Sequence, residues 1–281
     1  MFEILRKEEL GPKMILMDIR AKIIAKKAEP GQFIILRLDD KGERIPLTIA
    51  DYNRQEGFIT IVFQQIGKTT NKLSTLKEGD RIQDILGPLG TPSELKNLKK
   101  VVCVGGGIGV APVYPMARRL KKLGSYVTSI IGYRAENYVF WEDKLKSVSD
   151  ELLIATNDGS YGEKGFVTDI LKRLLENKEE IDEVIAIGPA VMMKAVADLT
   201  REYNVKTVVS LNSLMLCGMG MCGVCRVTVG GETKFTCSDG PDFDGHLVDF
   251  DGLLKRLNTY KDEEKISYEK WLEEVKYYGH N

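Results

Sequence analysis

Four of the chain's five cysteines fall between Cys217 and Cys237, and their spacing constrains the fold more than any other feature. The run is Cys217-x4-Cys222-x2-Cys225, with Cys237 further on. A cluster of two irons needs four thiolates converging on a small inorganic core, and this is the spacing that supplies them to a [2Fe-2S] center. Cys217, Cys222, Cys225 and Cys237 are therefore candidate ligands. The interleaved glycines fit that task, because a residue without Cβ takes positive φ and lets the backbone wrap closely with N–H groups aimed at sulfur. The fourth cysteine returns beside the others if 227–229 and 233–235 pair as strands across Gly230-Gly231.

Other uses of four cysteines fit less well. Structural zinc sites usually draw on two C-x2-C pairs, and only Cys222 and Cys225 form one here. Disulfides belong to oxidising compartments, whereas the first ten residues carry five charges and no apolar core of a secretory signal, so a cytoplasmic setting is expected. Cys103 stands apart in Val101-Val102-Cys103-Val104 and reads as a small buried thiol. With 40 basic against 41 acidic residues, the chain offers no charge asymmetry to attract nucleic acid or an anionic membrane. No apolar run reaches the length of a membrane span.

At 281 residues and 43% hydrophobic content, the chain can bury two or three cores. Short β-type runs, 32–38 and 58–63 among them, recur from Met14 to Ile85 between turn signals, which points to an antiparallel barrel over 1–96. Beyond Gly87-Pro88-Leu89-Gly90 strands alternate with helices, the pattern of a parallel α/β domain over 97–209. Its strands are expected at 100–104, 126–131, 152–156 and 183–187. Between the first two lies a helix with Pro112 and Pro115 in its first turn, an apolar face of Val113, Met116, Ala117, Leu120 and Leu123, and Gly124 as its stop. A small cluster domain follows over 210–256. The remainder, 257–281, is a charged helical tail carrying Tyr260, Ile266, Trp271, Leu272 and Tyr278, readable as a solvated helix or as a partner-binding arm.

Three glycine-bearing loops follow predicted strands. Gly105-Gly106-Gly107-Ile108-Gly109-Val110-Ala111-Pro112 joins a strand to a helix, where backbone N–H groups and the helix dipole can meet a pyrophosphate. It departs from G-x-G-x-x-G, since Val110 or Pro112 occupies the last glycine position, and a tight packing turn is the competing reading. Thr156-Asn157-Asp158-Gly159-Ser160-Tyr161-Gly162 and Ile187-Gly188-Pro189-Ala190 sit at the same carboxyl edge, where open α/β sheets bind ligands. Asp158 can accept hydrogen bonds from an adenosine ribose and would repel a 2′-phosphate, favouring NAD(H); alternatively it closes an Asx-turn.

Barrel, nucleotide domain and cluster segment in that order resemble the ferredoxin-NADP reductase superfamily over nearly the whole chain. Within it the chain is similar to dihydroorotate dehydrogenase electron-transfer subunits and, more closely, to the small subunits of NADH-dependent reduced ferredoxin:NADP oxidoreductases, also called sulfide dehydrogenase small subunits. The matching segments are Arg44-Ile45-Pro46-Leu47-Thr48-Ile49-Ala50-Asp51, Gly188-Pro189-Ala190-Val191-Met192-Met193-Lys194-Ala195-Val196 and Cys237-Ser238-Asp239-Gly240-Pro241-Asp242-Phe243-Asp244-Gly245-His246. The resemblance implies FAD in the barrel. The family's Arg-x-aromatic-Ser pattern maps onto Pro46, Leu47 and Thr48, with Thr48 near flavin N5 and the arginine one place early, at Arg44. Gly67, Lys68, Thr69 and Thr70 would hold the flavin phosphates. Gly105, Gly106, Gly107, Gly109, Ala111, Pro112, Asp158, Gly188 and Pro189 would take NAD(H). Cys217 is a departure, since small subunits of the ferredoxin:NADP enzymes can carry aspartate there.

The resulting expectation is an enzyme subunit that passes electrons between NAD(H), FAD, a [2Fe-2S] cluster and a large flavin and iron-sulfur subunit, with ferredoxin reached through the complex and electron bifurcation possible there. The cofactors carry the chemistry, so no side chain is assigned as acid or base, and His246 is read as structural. The competing readings are a dihydroorotate dehydrogenase electron-transfer subunit, a redox-sensing module that binds NAD and a cluster to switch a partner, and a stand-alone reductase component.

Overall fold

The computed structural model describes residues 1–177 and 180–278. The first lobe is antiparallel. Its strands are β1 (Phe2–Gly11), β2 (Met14–Arg20), β3 (Phe33–Arg37), β4 (Ile45–Thr48), β5 (Asp51–Asn53), β6 (Phe58–Gln64), β7 (Arg81–Ile82) and β8 (Asp84–Leu89), with short helices α1 (Lys22–Lys27) and α2 (Lys68–Thr75) between them. They form two sheets, ordered β5-β6-β2-β1-β7 and β4-β3-β8. Ile4, Met17, Ile19, Ile34, Leu36, Ile59, Ile61, Phe63 and Ile82 pack between them as one core.

Strand β2 is buried on both faces. Ile15, Met17 and Ile19 point into the barrel core, while Met14 and Leu16 join the core of the next lobe. Period-2 alternation thus glues barrel to α/β domain with a single strand. Strand β1, charged and with only Ile4 fully buried, gives no such pattern, so no strand is legible there in the sequence even though 1–96 as a whole reads as barrel.

In the second lobe, β9 (Lys100–Gly106), β10 (Tyr126–Tyr133), β11 (Glu151–Thr156), β12 (Glu163–Lys164), β13 (Glu183–Ile187) and β14 (Lys206–Ser210) form a parallel sheet. Its order is β12-β11-β10-β9-β13-β14, so the winding reverses between β9 and β13. The four expected strands are present; β14 was not foreseen. Alternation along β9 sends Val101 and Cys103 to one face and Val102 and Val104 to the other. One face is covered by α3 (Val110–Leu123) and α4 (Glu142–Lys146), the other by α5 (Val167–Glu176) and α6 (Ala190–Glu202). Helix α3 buries Val113, Met116, Ala117 and Leu120 as expected and ends at Gly124, whose φ of 95° only glycine adopts without strain. Pro115 is a correction: helical geometry begins at Val110, so this proline lies in the second turn, where its missing N–H takes a partner from the Ala111 carbonyl.

The cysteine segment contains a hairpin, β15 (Arg226–Val229) with β16 (Glu232–Phe235), turning through Gly230 and Gly231 at φ 60° and 81°. It then lends β17 (Asp242–Asp244) antiparallel to β14 and lays α7 (Phe250–Leu257) beside α6. A line drawn at 209/210 therefore falls inside β14. The tail is a helix, α8 (Lys261–Tyr278), and it packs on α2 of the barrel. Ser267, Tyr268, Trp271 and Leu272 are half-buried, with Tyr268 and Trp271 stacked at 5.9 Å, while Ile266 and Val275 are exposed. The side chain of Tyr278 lies outside the described residues. Among the described residues no helix is long and apolar enough to cross a membrane.

Candidate functional site

At the reversal point between β9 and β13, where open α/β sheets hold their ligands, a cavity of about 440 Å³ opens against the barrel. The barrel contributes Phe33, Pro46, Leu47 and Thr48 from the paired strands β3 and β4, and Gly67, Lys68, Thr69 and Thr70 from the start of α2. The α/β lobe contributes Ile108, Gly109, Ala111, Pro112, Ile187 and Gly188. The α2 start and the turns after β9 and β13 are helix starts or strand ends with backbone N–H groups free to meet a ligand, whereas the paired β3 and β4 present side chains.

The glycines divide by task. A Cβ on Gly109 would stand 2.3 Å from the Ile187 carbonyl oxygen, and one on Gly106 would stand 2.3 Å from Met192 Sδ. Gly105 is likewise hemmed in by Val110. Gly106 and Gly109 let the first glycine turn touch the β13–α6 loop and the start of α6, and Gly105 lets it close onto α3, so the packing reading holds for all three. Gly107 differs: its φ is 54° and nothing lies within 4 Å of its Cβ position, so it presents bare backbone. Gly67, which starts α2, is equally open. The first-turn N–H groups of α2 lack intrahelical partners and carry the positive end of the dipole. Thr70 Oγ1 accepts from Gly67 N at 3.1 Å, and Thr69 Oγ1 donates to Glu43. Glycine turns, hydroxyls and the Lys68 ammonium fit the phosphates of a dinucleotide, and the apolar Phe33, Pro46 and Leu47 fit a flat ring.

Several expected residues stand elsewhere. Arg44 is exposed and does not line the cavity. Gly105, Gly106, Gly107 and Pro189 flank it without lining it. Asp158 lies on the exposed loop after β11, where Oδ1 accepts from Ser160 N at 2.9 Å and Ser160 Oγ at 2.6 Å. The Asx-turn is thus realised, and the Ser160 hydroxyl, followed by its N–H, holds the carboxyl below its ordinary value and keeps it ionised toward solvent. Asp51, in the matched barrel segment, binds Arg118 (2.8 Å) and Lys144 (2.7 Å) and ties the two lobes together outside the cavity. His246 Nε2 lies 3.0 Å from Thr200 Oγ1, the structural role expected of it.

The four thiols stand at the barrel side of the third lobe. Gly218, Gly220 and Gly223 have φ of 72°, 76° and 68°, and the loop they bend directs Met219 N to Cys217 Sγ (3.4 Å) and Gly220 N to Cys237 Sγ (3.0 Å). Cys225 and Cys237 are buried with sulfurs 3.2 Å apart. Cys222, exposed, neighbours Cys217. Among the described residues no three such side chains converge on a single ion. The thiols pair off instead, and two irons with two thiolates each require that division. The Met219 N–H brings Cys217 down to about 6, whereas burial drives Cys237 up to about 12. Cys103 is wholly enclosed within the α/β sheet, its thiol likewise pushed to about 12 by burial, and takes no part.

Cavity and thiols share walls. Phe33 and Met215 line the cavity and also pack with Ile35, Cys225 and Cys237. Sequence reasoning missed Ser210, Leu211 and Asn212, which line the cavity just past β14. The Thr-Val-Val-Ser run before them was the available signal, since a fifth parallel strand delivers its carboxyl end to the same edge. It also missed Glu264 and Ser267 of α8.

Fold and site together define a pyridine-nucleotide oxidoreductase of the ferredoxin-reductase type with flavin and iron-sulfur centers. Residues 103–198 match the family model described as an oxidoreductase NAD-binding domain, and residues 212–249 that described as the iron-sulfur cluster binding domain of dihydroorotate dehydrogenase B. The chain is 48% identical over 96% of its length and 95% of the relative's to a Thermotoga maritima protein named as a dihydroorotate dehydrogenase B (NAD(+)) electron transfer subunit homolog. It is 35% identical over 80% of its length and 88% of the relative's to the dihydroorotate dehydrogenase B electron transfer subunit of Fusobacterium nucleatum. A chain of the NADH-dependent reduced ferredoxin-NADP oxidoreductase structure, from work on flavin-based electron bifurcation, superposes with a TM-score of 0.91 at 47% identity, covering 96% of this chain and 97% of that one. The chain belongs to the family of dihydroorotate dehydrogenase B electron transfer subunits and their homologues. It is an electron-transfer subunit of a flavin and iron-sulfur oxidoreductase whose cofactors are FAD, a [2Fe-2S] cluster and NAD(H).

Proposed function

We propose that this chain is the small subunit of an NADH-dependent reduced ferredoxin:NADP oxidoreductase, exchanging electrons between NAD(H) and a large flavin and iron-sulfur subunit in the cytoplasm. The observation that carries this reading is the end-to-end match at 47% identity and a TM-score of 0.91 to a chain of that enzyme. Bound FAD would convert the two electrons of a hydride into single electrons, which the cluster would relay. The chain's own residues bind, orient and exclude water. Phe33, Pro46 and Leu47 would flank the flavin ring, with the Thr48 hydroxyl near its N5, while Gly67, Lys68, Thr69 and Thr70 neutralise its phosphates. The Gly105–Gly109 turn, Ala111, Pro112 and Gly188-Pro189 would take the nicotinamide nucleotide, and ionised Asp158 would select against a 2′-phosphate. Cys217 and Cys222 would hold one iron, Cys225 and Cys237 the other. Phe33 and Met215, shared by cavity and thiol pair, would form the short path between centers.

A second reading, the electron-transfer subunit of dihydroorotate dehydrogenase B, is favoured by the all-cysteine ligand set and by the family model over 212–249. Purification of the native complex decides between them. The proposal expects a large subunit with its own flavin and iron-sulfur clusters, and NADH-linked reduction of NADP with reduced ferredoxin. A dihydroorotate-oxidising partner would overturn it in favour of the second reading.

A further inference from the structure

Helix α8 does not hang free. It packs on α2, the helix whose first turn lines the cavity, and it brings Glu264 and Ser267 into the cavity wall. Ser267, Tyr268, Trp271 and Leu272 form its half-buried stripe at i, i+1, i+4 and i+5, while Ile266 and Val275 face outward. That is the pattern of a helix seated on its own barrel along one face.

We propose that α8 is the wall of the flavin site that holds the adenosine half of FAD, with Glu264 and Ser267 as the residues that distinguish FAD from FMN. The inference rests on the flavin reading of the cavity. Phe33, Pro46, Leu47 and Thr48 supply the apolar end, and the start of α2 supplies the N–H groups and ammonium suited to phosphates. FMN ends at its phosphate. FAD continues past it, and the element packed next to α2 on that side is α8. Charge points the same way: a carboxylate at the Glu264 position opposes a phosphate but accepts hydrogen bonds well from ribose hydroxyls or an adenine amino group. Ser267, one turn further along the same face, can both donate and accept.

The test uses the full-length chain, freed of flavin and titrated separately with FAD and FMN while flavin fluorescence is followed. Loss of one charge-assisted hydrogen bond predicts that Glu264→Ala with Ser267→Ala weakens FAD about tenfold and leaves FMN unchanged. AMP should displace FAD from the wild type and lose potency in the variant. Should the double variant not fold, Glu264→Gln, which keeps size and helix, carries the same comparison with a smaller loss of FAD affinity. Unchanged FAD affinity, or equal weakening of FAD and FMN, overturns the role of α8. A wild-type chain that binds neither flavin overturns the flavin reading instead.

Discussion

Gly109 offers a direct test of how the cavity is built. Its backbone, at φ −62° and ψ −11°, is one any residue adopts, so Gly109→Ala costs nothing in conformation and its whole effect is steric. The added methyl would sit 2.3 Å from the Ile187 carbonyl oxygen and 2.7 Å from Gly188 Cα, where ordinary contact begins at 3.4 Å. The glycine turn and the β13–α6 loop must then part by about 1 Å, and backbone atoms yield less readily than a side-chain tip. Overpacking of this kind costs about 1–3 kcal/mol, and each kcal/mol lowers Tm by about 2–4 °C in a chain of this size. Because Gly109, Ile187 and Gly188 all line the cavity, the same shift should weaken FAD by about tenfold. Gly107→Ala is the control: it meets open space, its φ of 54° costs about 1–2 kcal/mol, and no neighbour has to move. Its flavin affinity should stay within about twofold of wild type while its KM for NADH rises. Thermal melts and FAD titrations on the three full-length proteins decide the matter. A Gly109→Ala protein with unchanged Tm and flavin affinity, or equal flavin loss in both variants, would refute the close-approach reasoning.

Three further outcomes are expected. Asp158→Ser should narrow the preference for NADH over NADPH in kcat/KM by tenfold for each ~1.4 kcal/mol of repulsion removed, and an unchanged ratio would remove Asp158 from nucleotide selection. In the metal-free chain, iodoacetamide should alkylate Cys217 with a midpoint near pH 6, because N–H donors hold its thiolate, while Cys103 and Cys237, both near 12, stay unreactive at pH 7; equal labelling of all three would contradict this. Asp242 Oδ2 accepts from Ser93 Oγ at 2.5 Å, and Oδ1, shut off from water, has no partner in hydrogen-bond geometry among the described residues, the Ser210 side chain being the polar group beside it. Burial raises its carboxyl above the ordinary value of an aspartate, so ionisation opposes folding at high pH and that penalty disappears as pH falls through the carboxylate range. Asp242→Asn should therefore be more stable than wild type at pH 8, with the gap closing on acidification. A gap that widens toward acid would reverse the assignment.

Most of what was legible in the sequence was local. The cluster loop, its hairpin return, the glycine turn and the apolar face of α3 each lie within a few residues, and spacing or periodicity exposes them. Long-range contacts were not legible. Nothing near Gly109 announces that its neighbour is Ile187, and the charged α8 carries no mark of the barrel helix it covers. β1 and β14 were lost for another reason, since one is too charged and the other, Lys206–Ser210, carries only two adjacent apolar residues, so neither shows a period. β3 shows how far pattern reaches. Its run Phe33-Ile34-Ile35-Leu36 reads only as a barrel strand, yet its lack of polar alternation is the pattern of a strand covered on both sides. It is silent on what does the covering. Ile34 and Leu36 face the barrel core, whereas Phe33 and Ile35 face Cys225 and Cys237 of the third lobe. The outward face of a barrel strand, which water would otherwise wet, is thereby closed by the thiol loop. The same two apolar side chains that stabilise that contact keep water out of the gap between cavity and thiols, so docking the third lobe and joining the two redox sites are one packing event.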